Sequence, residues 1–397
     1  MDPTGPIAGR FPLIARPRPA CTPLTVRVAR LCALADQAVR DDDVSAASAV
    51  YNQAALLASD CGLPDLARQW CHQHAIAHLH TGHLDGQRAR LALEPVVNLA
   101  RLRIRAGDGA SAFELLDALY QALRTRTTTV IDSINVPADL TATDADHAQV
   151  RRWLWTVHLA DGTRALTSAG HWAQAHKHVR RHRGMGEQML DGRQVAVIAR
   201  ATVGDYAGAA TLLETTTPGE PWQNAVTACL ALLCRGPGHR PAPDSLALVG
   251  DRFGTLTPTP ALATFYTRLG LSAIDAVGGT KNPGGHEIAA ALIGQVVTFH
   301  DGHAARDVLG HEHCAALLTT QQEHDLHEIL DACALGHQAI PATMSRQLTA
   351  ALDACDGVLH RPGIDQPFPA RLPGPPGGTS GRHARRVNPI GHIGALA

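Results

Sequence analysis

Most of the chain reads as runs in which apolar residues are spaced to fill one side of a helix, separated by short polar or glycine-containing breaks. Such runs extend from Thr25 to Val39, from about Val44 to Ser59, from Pro64 to the break at Gly82 and Gly86, from about Ala89 to Ala106, and from Gly109 to Arg124. They resume over Ala148–Ala169, Trp172–His182, Gln188–Val203, Tyr206–Glu214 and Trp222–Cys234. Further helices are predicted over Ser245–Phe253, Pro260–Val277, His286–His300 and Ala304–Thr319, then to about Leu335 and from Pro341 to near Val358. Local signals place several ends. Asp41, Asp42 and Asp43 supply a cap and favourable charge for the helix from Val44. Pro64 suits a first turn, and Thr320-Gln-Gln-Glu323 spells a capping box. Pro95 is expected either to kink its helix or to mark the true start.

The breaks define the organisation. Residues 1–23 carry six prolines and no helical period, so a flexible N-terminal arm is expected there. A helical domain follows over 24–235, interrupted at 125–147 by a segment rich in threonine, valine and isoleucine that suits a loop with a short β-hairpin. Residues 236–243 form a proline/glycine linker, 244–359 a C-terminal helical region, and 360–397 have the composition of a disordered tail. The fold class is all-α.

Within 24–235 four glycines, Gly62, Gly107, Gly170 and Gly204, are each followed five residues later by an alanine: Ala67, Ala112, Ala175 and Ala209. The glycine lets the chain reverse, and the alanine lets the second helix approach the first. Around Gly204 the pattern also has Tyr206, Leu213 and Pro221; around Gly170 it has Trp172 and Val179. Gly107 is followed by Leu116, with Gly109 where an aromatic is usual, and Gly62 by Cys71. The last two anchors are 34 residues apart. This pattern resembles the tetratricopeptide repeat, over roughly residues 44–235, in a degenerate form that lacks the usual tryptophan of each first helix. The resemblance implies a right-handed α-solenoid whose first helices line a concave surface that grips peptides or helices. Carried over position by position, it implies a polar wall of Asn52, Gln53, Asn98, Arg101, Arg105, Asp161, Arg164, Asp191 and Gln194. Asparagine and glutamine can bond an extended backbone, and arginine forks suit carboxylates. The same residues would also serve as a solvated wall with internal pairs such as Asp161 and Arg164.

Composition narrows the field. Aromatic residues are only 4% of the chain, so the core is built from alanine, leucine and valine. Charge is balanced, with 35 basic and 36 acidic residues, and gives no global field for nucleic acid or an anionic membrane. Arginine greatly outnumbers lysine, the codon usage of a GC-rich genome as in actinobacteria. Nine scattered cysteines without a Cys-x-x-Cys suit a reducing cytoplasm. No signal peptide or membrane span is apparent.

Chemistry is harder to find. Histidine is abundant, at 23 residues, and His311, His313, His324 and His327 are the candidates for a metal site near Cys314, although no His-Glu-x-x-His occurs. A second grouping, Cys71 and His72 through His83, has the same weakness of spacing. His176–Arg183 concentrates positive charge at a helix end, where solvation and the helix dipole explain it as well as phosphate contact does. Gly278–Gly285 has neither the order nor the context of a phosphate loop and reads as a connector. No catalytic residue and no cofactor is predicted. The expected function is non-catalytic, regulatory or scaffolding recognition of a protein or peptide that carries acidic groups or a free C-terminus. The alternatives are a sensor of small signalling peptides without its own DNA-binding domain, and a metal-dependent enzyme built on the C-terminal histidines.

Overall fold

The computed structural model describes residues 1–79, 83–236, 238 and 240–360. The break at Gly82, part of the 236–243 linker and, His360 apart, the expected 360–397 tail lie outside the described residues. The described chain is all-helical apart from one hairpin. Its elements are α1 (Pro6–Gly9), α2 (Leu24–Asp41), α3 (Val44–Asp60), α4 (Pro64–Leu79), α5 (Gly86–Arg105), α6 (Gly109–Thr125), β1 (Thr129–Ile131), β2 (Ile134–Val136), α7 (Asp144–Ser168), α8 (Trp172–Arg181), α9 (Asp191–Thr202) and α10 (Tyr206–Glu214). They continue as α11 (Pro221–Leu233), α12 (Pro243–Gly254), α13 (Ala263–Ala276), α14 (Pro283–Phe299), α15 (Gly302–Leu309), α16 (Glu312–Ala315), α17 (Thr320–Cys333) and α18 (Ala342–Leu359).

The four glycine anchors separate four helical hairpins: α3–α4, α5–α6, α7–α8 and α9–α10. Each anchor has φ between +74° and +83°, a region where a side chain would be strained. The four paired alanines are each 0% exposed, so their small size sets how closely the second helix approaches. Among the first helices, α3 packs on α5 and α5 on α7; α4 packs on α5, α6 on α7, and α8 on α9. The 125–147 segment contains the antiparallel pair β1–β2, with Ile131 opposite Ile134 and both buried.

Capping residues fix the ends. The Asp43 side chain accepts from the Ser45 and Ala46 amides at the start of α3. Asp85 does the same for α5, accepting from Gln87 and Arg88. The helix therefore begins at Gly86 and carries Pro95 in its interior, so the proline does not mark its start. At α17 the capping box is one residue earlier than its expected Thr320–Glu323 register: Thr319 is the cap and Gln322 closes the box. Threonine at 319 and glutamine at 322 satisfy the same chemistry, so the sequence alone left two registers open.

Residues 1–23 depart most from expectation. They form a strap, not a free arm. Ala8, Phe11, Leu13 and Cys21 are buried in the core. The strap is held along its length by the Trp172 indole donating to the Pro3 carbonyl (2.9 Å) and by Arg10 to Asp275 (2.6 Å). The Arg18 amide donates to the Ala261 carbonyl (2.8 Å), and the Gly302 amide to the Cys21 carbonyl (2.9 Å). Apart from the single turn of α1, which Pro6 opens, the prolines keep this segment out of helix and leave few amides of its own to satisfy.

The buried apolar residues fall into two clusters. One joins α2 through the early part of α7 with α18; the other joins the strap and the end of α7 with α8 to α17. The expected division at 236–243 therefore does not separate two cores, since α11 packs directly on α12 across it. Instead the last helix returns to the first. α18 packs on α2 and α3, and the Tyr51 hydroxyl donates to Asp356 (2.6 Å). The Gly336 and Gln338 amides donate to the Asp60 and Cys61 carbonyls at the end of α3.

Candidate functional site

The polar positions expected on the first helices do come together, but chiefly with one another. Asn98 of α5 donates to the side-chain Oδ1 of Asn52 on α3 (2.8 Å), and Asn52 Nδ2 donates to Glu94 (3.2 Å). Arg101 donates to Asn98 (3.1 Å) and grips Asp161 of α7 through Nε (3.0 Å) and a terminal nitrogen (2.8 Å). Arg101 and Asp161 are each only 8% exposed at the side chain. Arg105 pairs with Asp60, which Arg27 also contacts (2.7 Å). Gln53 and Asp191 are half-buried. The wall, expected either to meet a ligand or to pair internally, is thus largely a network that joins α3, α5 and α7. In place of the sequence pairing of Asp161 with Arg164, Asp161 accepts two bonds at Oδ2 from Arg101 on the neighbouring helix.

Two of the nine residues behave differently. The Gln194 side chain, fully buried on α9, exchanges two hydrogen bonds with one strap residue: the Leu13 amide donates to its Oε1 (2.7 Å), and its Nε2 donates to the Leu13 carbonyl (2.7 Å) as well as to that of Met189 (3.2 Å). This is how a carboxamide reads an extended main chain. Arg164 is drawn down to about 10, first by burial and then by Arg268, with Asp161 acting in the opposite direction. Arg18 of the strap falls to about 9 for the same reasons, with Arg164, Arg268 and Arg16 as like charges. Guanidinium groups from the strap, α7 and α13 therefore lie near one another, with Asp161 as a counter-charge for Arg18 and Arg164 and Asp307 paired with Arg268 (3.3 Å).

The C-terminal histidines are not brought together as a metal site. His311 contacts Asp275 (3.1 Å) and stands beside His313, with ring centres 5.8 Å apart. His324 pairs with Glu328 on an exposed face of α17, and His327 is exposed on the same helix. Spacing along the sequence failed here because the two pairs belong to different short helices. In the earlier grouping, His74 and His78 are buried beside Tyr51 and Ser48 as core groups.

A different set of histidines does converge. Between α6 and α8, above α7, lies a cavity of about 500 Å³ whose lining includes Asp117, Tyr120, His158, His178 and His182. One ring nitrogen from each of the three histidines lies within 4.8 Å of the others. The ring centres are 4.7 to 5.0 Å apart. Tyr120 stacks on His158 at 4.6 Å and 6°, and the Phe113 edge meets His178. Burial holds His158 and His178 at about 4, so both are neutral near pH 7. The His178 Nε2 bonds the His158 carbonyl (3.0 Å), which leaves Nδ1 with the lone pair. Arg124, Arg181 and Arg183 complete the polar side of the cavity.

The sequence held a signal for this cluster. His178 and His182 are four apart on one helical face, and His158 and His182 each lie twelve residues from the turn at Gly170. In an antiparallel hairpin, positions equidistant from the turn are neighbours. The run of arginines around His182 drew the sequence reading toward charge instead.

No family model matches the chain, and neither does any curated protein or any solved structure.

Proposed function

We propose that the protein is a tetratricopeptide-like helical repeat, a right-handed α-solenoid that works by non-catalytic binding of an extended protein or peptide segment along its first helices. The observation that carries this reading is the two-way bond between Gln194 and the Leu13 backbone. A buried carboxamide aimed at main-chain groups recognises any extended segment, whatever its side chains. On this reading the strap occupies the trough in place of a partner. Arg164 and Arg268 set the charge of the partner: an acidic side chain or a free C-terminal carboxylate would relieve their mutual repulsion. All nine cysteines are free thiols, which suits a cytoplasmic regulator or assembly factor. No described helix is long and apolar enough to cross a membrane.

A displayed library of extended peptides, selected on the full chain and on its Arg10→Ala variant, which loses the strap's ion pair to Asp275, tests the proposal. Enrichment of acidic or C-terminal-carboxylate peptides is expected, stronger on the variant with the loosened strap. Binding should fall at least tenfold in Arg164→Ala. Failure to enrich any peptide on either protein, or binding indifferent to Arg164, would overturn it.

A further inference from the structure

The cluster at His158, His178 and His182 has no role in the groove reading and does not depend on it. His158 is the informative residue. It is 1% exposed, yet neither of its ring nitrogens has a hydrogen-bond partner. Asp117 Oδ1 lies 3.2 Å from Nε2 without the alignment of a hydrogen bond. Leaving a buried polar atom unsatisfied costs about 1–3 kcal/mol, so such an atom calls for an explanation. A few ångströms away, His178 is tied through Nε2 to a backbone carbonyl. That second bond orients the ring and fixes the tautomer in metal-bound histidines, leaving the other nitrogen to coordinate. His182 follows one helical turn later on the same face, at the end of α8.

We propose that His158, His178 and His182 form a binding site for one zinc-class divalent cation. Three imidazoles suit such an ion, and three protein ligands leave a fourth position open. Nitrogen separations of up to 4.8 Å exceed those around a tetrahedral zinc ion, which at about 2.0–2.1 Å per bond hold ligands near 3.4 Å apart. Small ring rotations close that difference. His182 is only half-buried and has room to make them. Asp117, with 41% of its side chain exposed, supplies negative charge beside the ligands. The open position faces the cavity, where Arg124, Arg181 and Arg183 favour an anion on the bound ion.

The test uses full-length, untagged protein stripped with a chelator, then titrated with Zn²⁺ in competition with a chromophoric chelator and separately with Co²⁺. The expected result is one tight equivalent per chain, with the intense visible absorption of four- or five-coordinate cobalt. His182→Asn and His178→Asn should each weaken binding at least tenfold, and Asp117→Asn about tenfold or more. The double variant His324→Asn/His327→Asn, on an exposed face, should leave the affinity unchanged. Circular dichroism of each variant checks that the fold persists, and His182→Asn is the informative one because its ring is the least buried of the three. Absence of a tight equivalent in the wild-type chain would overturn the assignment. So would affinity unchanged in a folded His182→Asn variant, or affinity lost in the surface double variant alone.

Discussion

At the scale of single residues, function and structure compete for the same side chains. Asn98, Arg101 and Asp161 stand where a repeat protein would present ligand contacts, yet they bond one another, within α5 and across to α7. The sequence identified these positions but not their partners, because a partner is set by the neighbouring hairpin and not by local spacing. Replacing the Asp161 carboxylate weakens two bonds to a buried guanidinium, so Asp161→Asn should cost about 1.5–3 kcal/mol in denaturant-induced unfolding. Arg105, far more exposed beside Asp60, should tolerate Arg105→Gln with a loss of at most about 1 kcal/mol. Gln194 was legible in its chemistry, as a reader of extended backbone, but nothing in the residue order indicates that the backbone belongs to the same chain. Gln194→Ala removes three buried bonds, two to Leu13 and one to the Met189 carbonyl, and should cost about 1–3 kcal/mol. Hydrogen exchange at the Leu13 amide reads the same event directly: protection there should fall by more than the global stability loss explains.

At the scale of elements, the hairpins were the most legible part of the chain. A glycine and an alanine five residues apart encode two facts at once, a left-handed turn and a close helix crossing, and both hold at all four anchors. The strap was illegible for the opposite reason. Proline-rich segments have no period, and an extended chain bound inside a protein has the same composition as one in solvent. The anchors offer a graded test. An added methyl at Gly204 meets nothing within 4 Å, so Gly204→Ala should cost only the backbone strain, roughly 1–2 kcal/mol. At Gly170 the same methyl would come within 2.7 Å of the Thr4 methyl in the strap. Gly170→Ala should therefore lose more stability than Gly204→Ala, and the two denaturation midpoints compared under one condition check the order. Equal losses would mean that the strap does not press on that turn.

At the scale of the whole molecule, the return of α18 to α2 and α3 couples the two ends of the chain, and buried histidines lie near that junction. His74 stacks on Tyr51, whose hydroxyl reaches Asp356 of α18, and His78 bonds Ser48 of α3 (2.8 Å). Burial drives His74 well below its ordinary value, with His78 adding to the effect. Burial also brings His78 down to about 4, helped by Arg88 and His360. A base whose folded value lies below its unfolded value of 6.5 takes up a proton more readily when the chain is unfolded. Its stabilising effect is therefore complete above pH 6.5 and is lost as the pH falls toward 4. For His78 alone the loss across that window is about 3 kcal/mol, a large part of a normal folding free energy. Replacing His74 with phenylalanine keeps a ring against Tyr51 and removes one titrating group that Tyr51 and His78 enclose. The His74→Phe protein should thus melt closer to wild type at pH 7.5 than at pH 5, where it should be the more stable of the two. A pH profile parallel to that of the wild type would show that His74 is not held neutral in the folded chain.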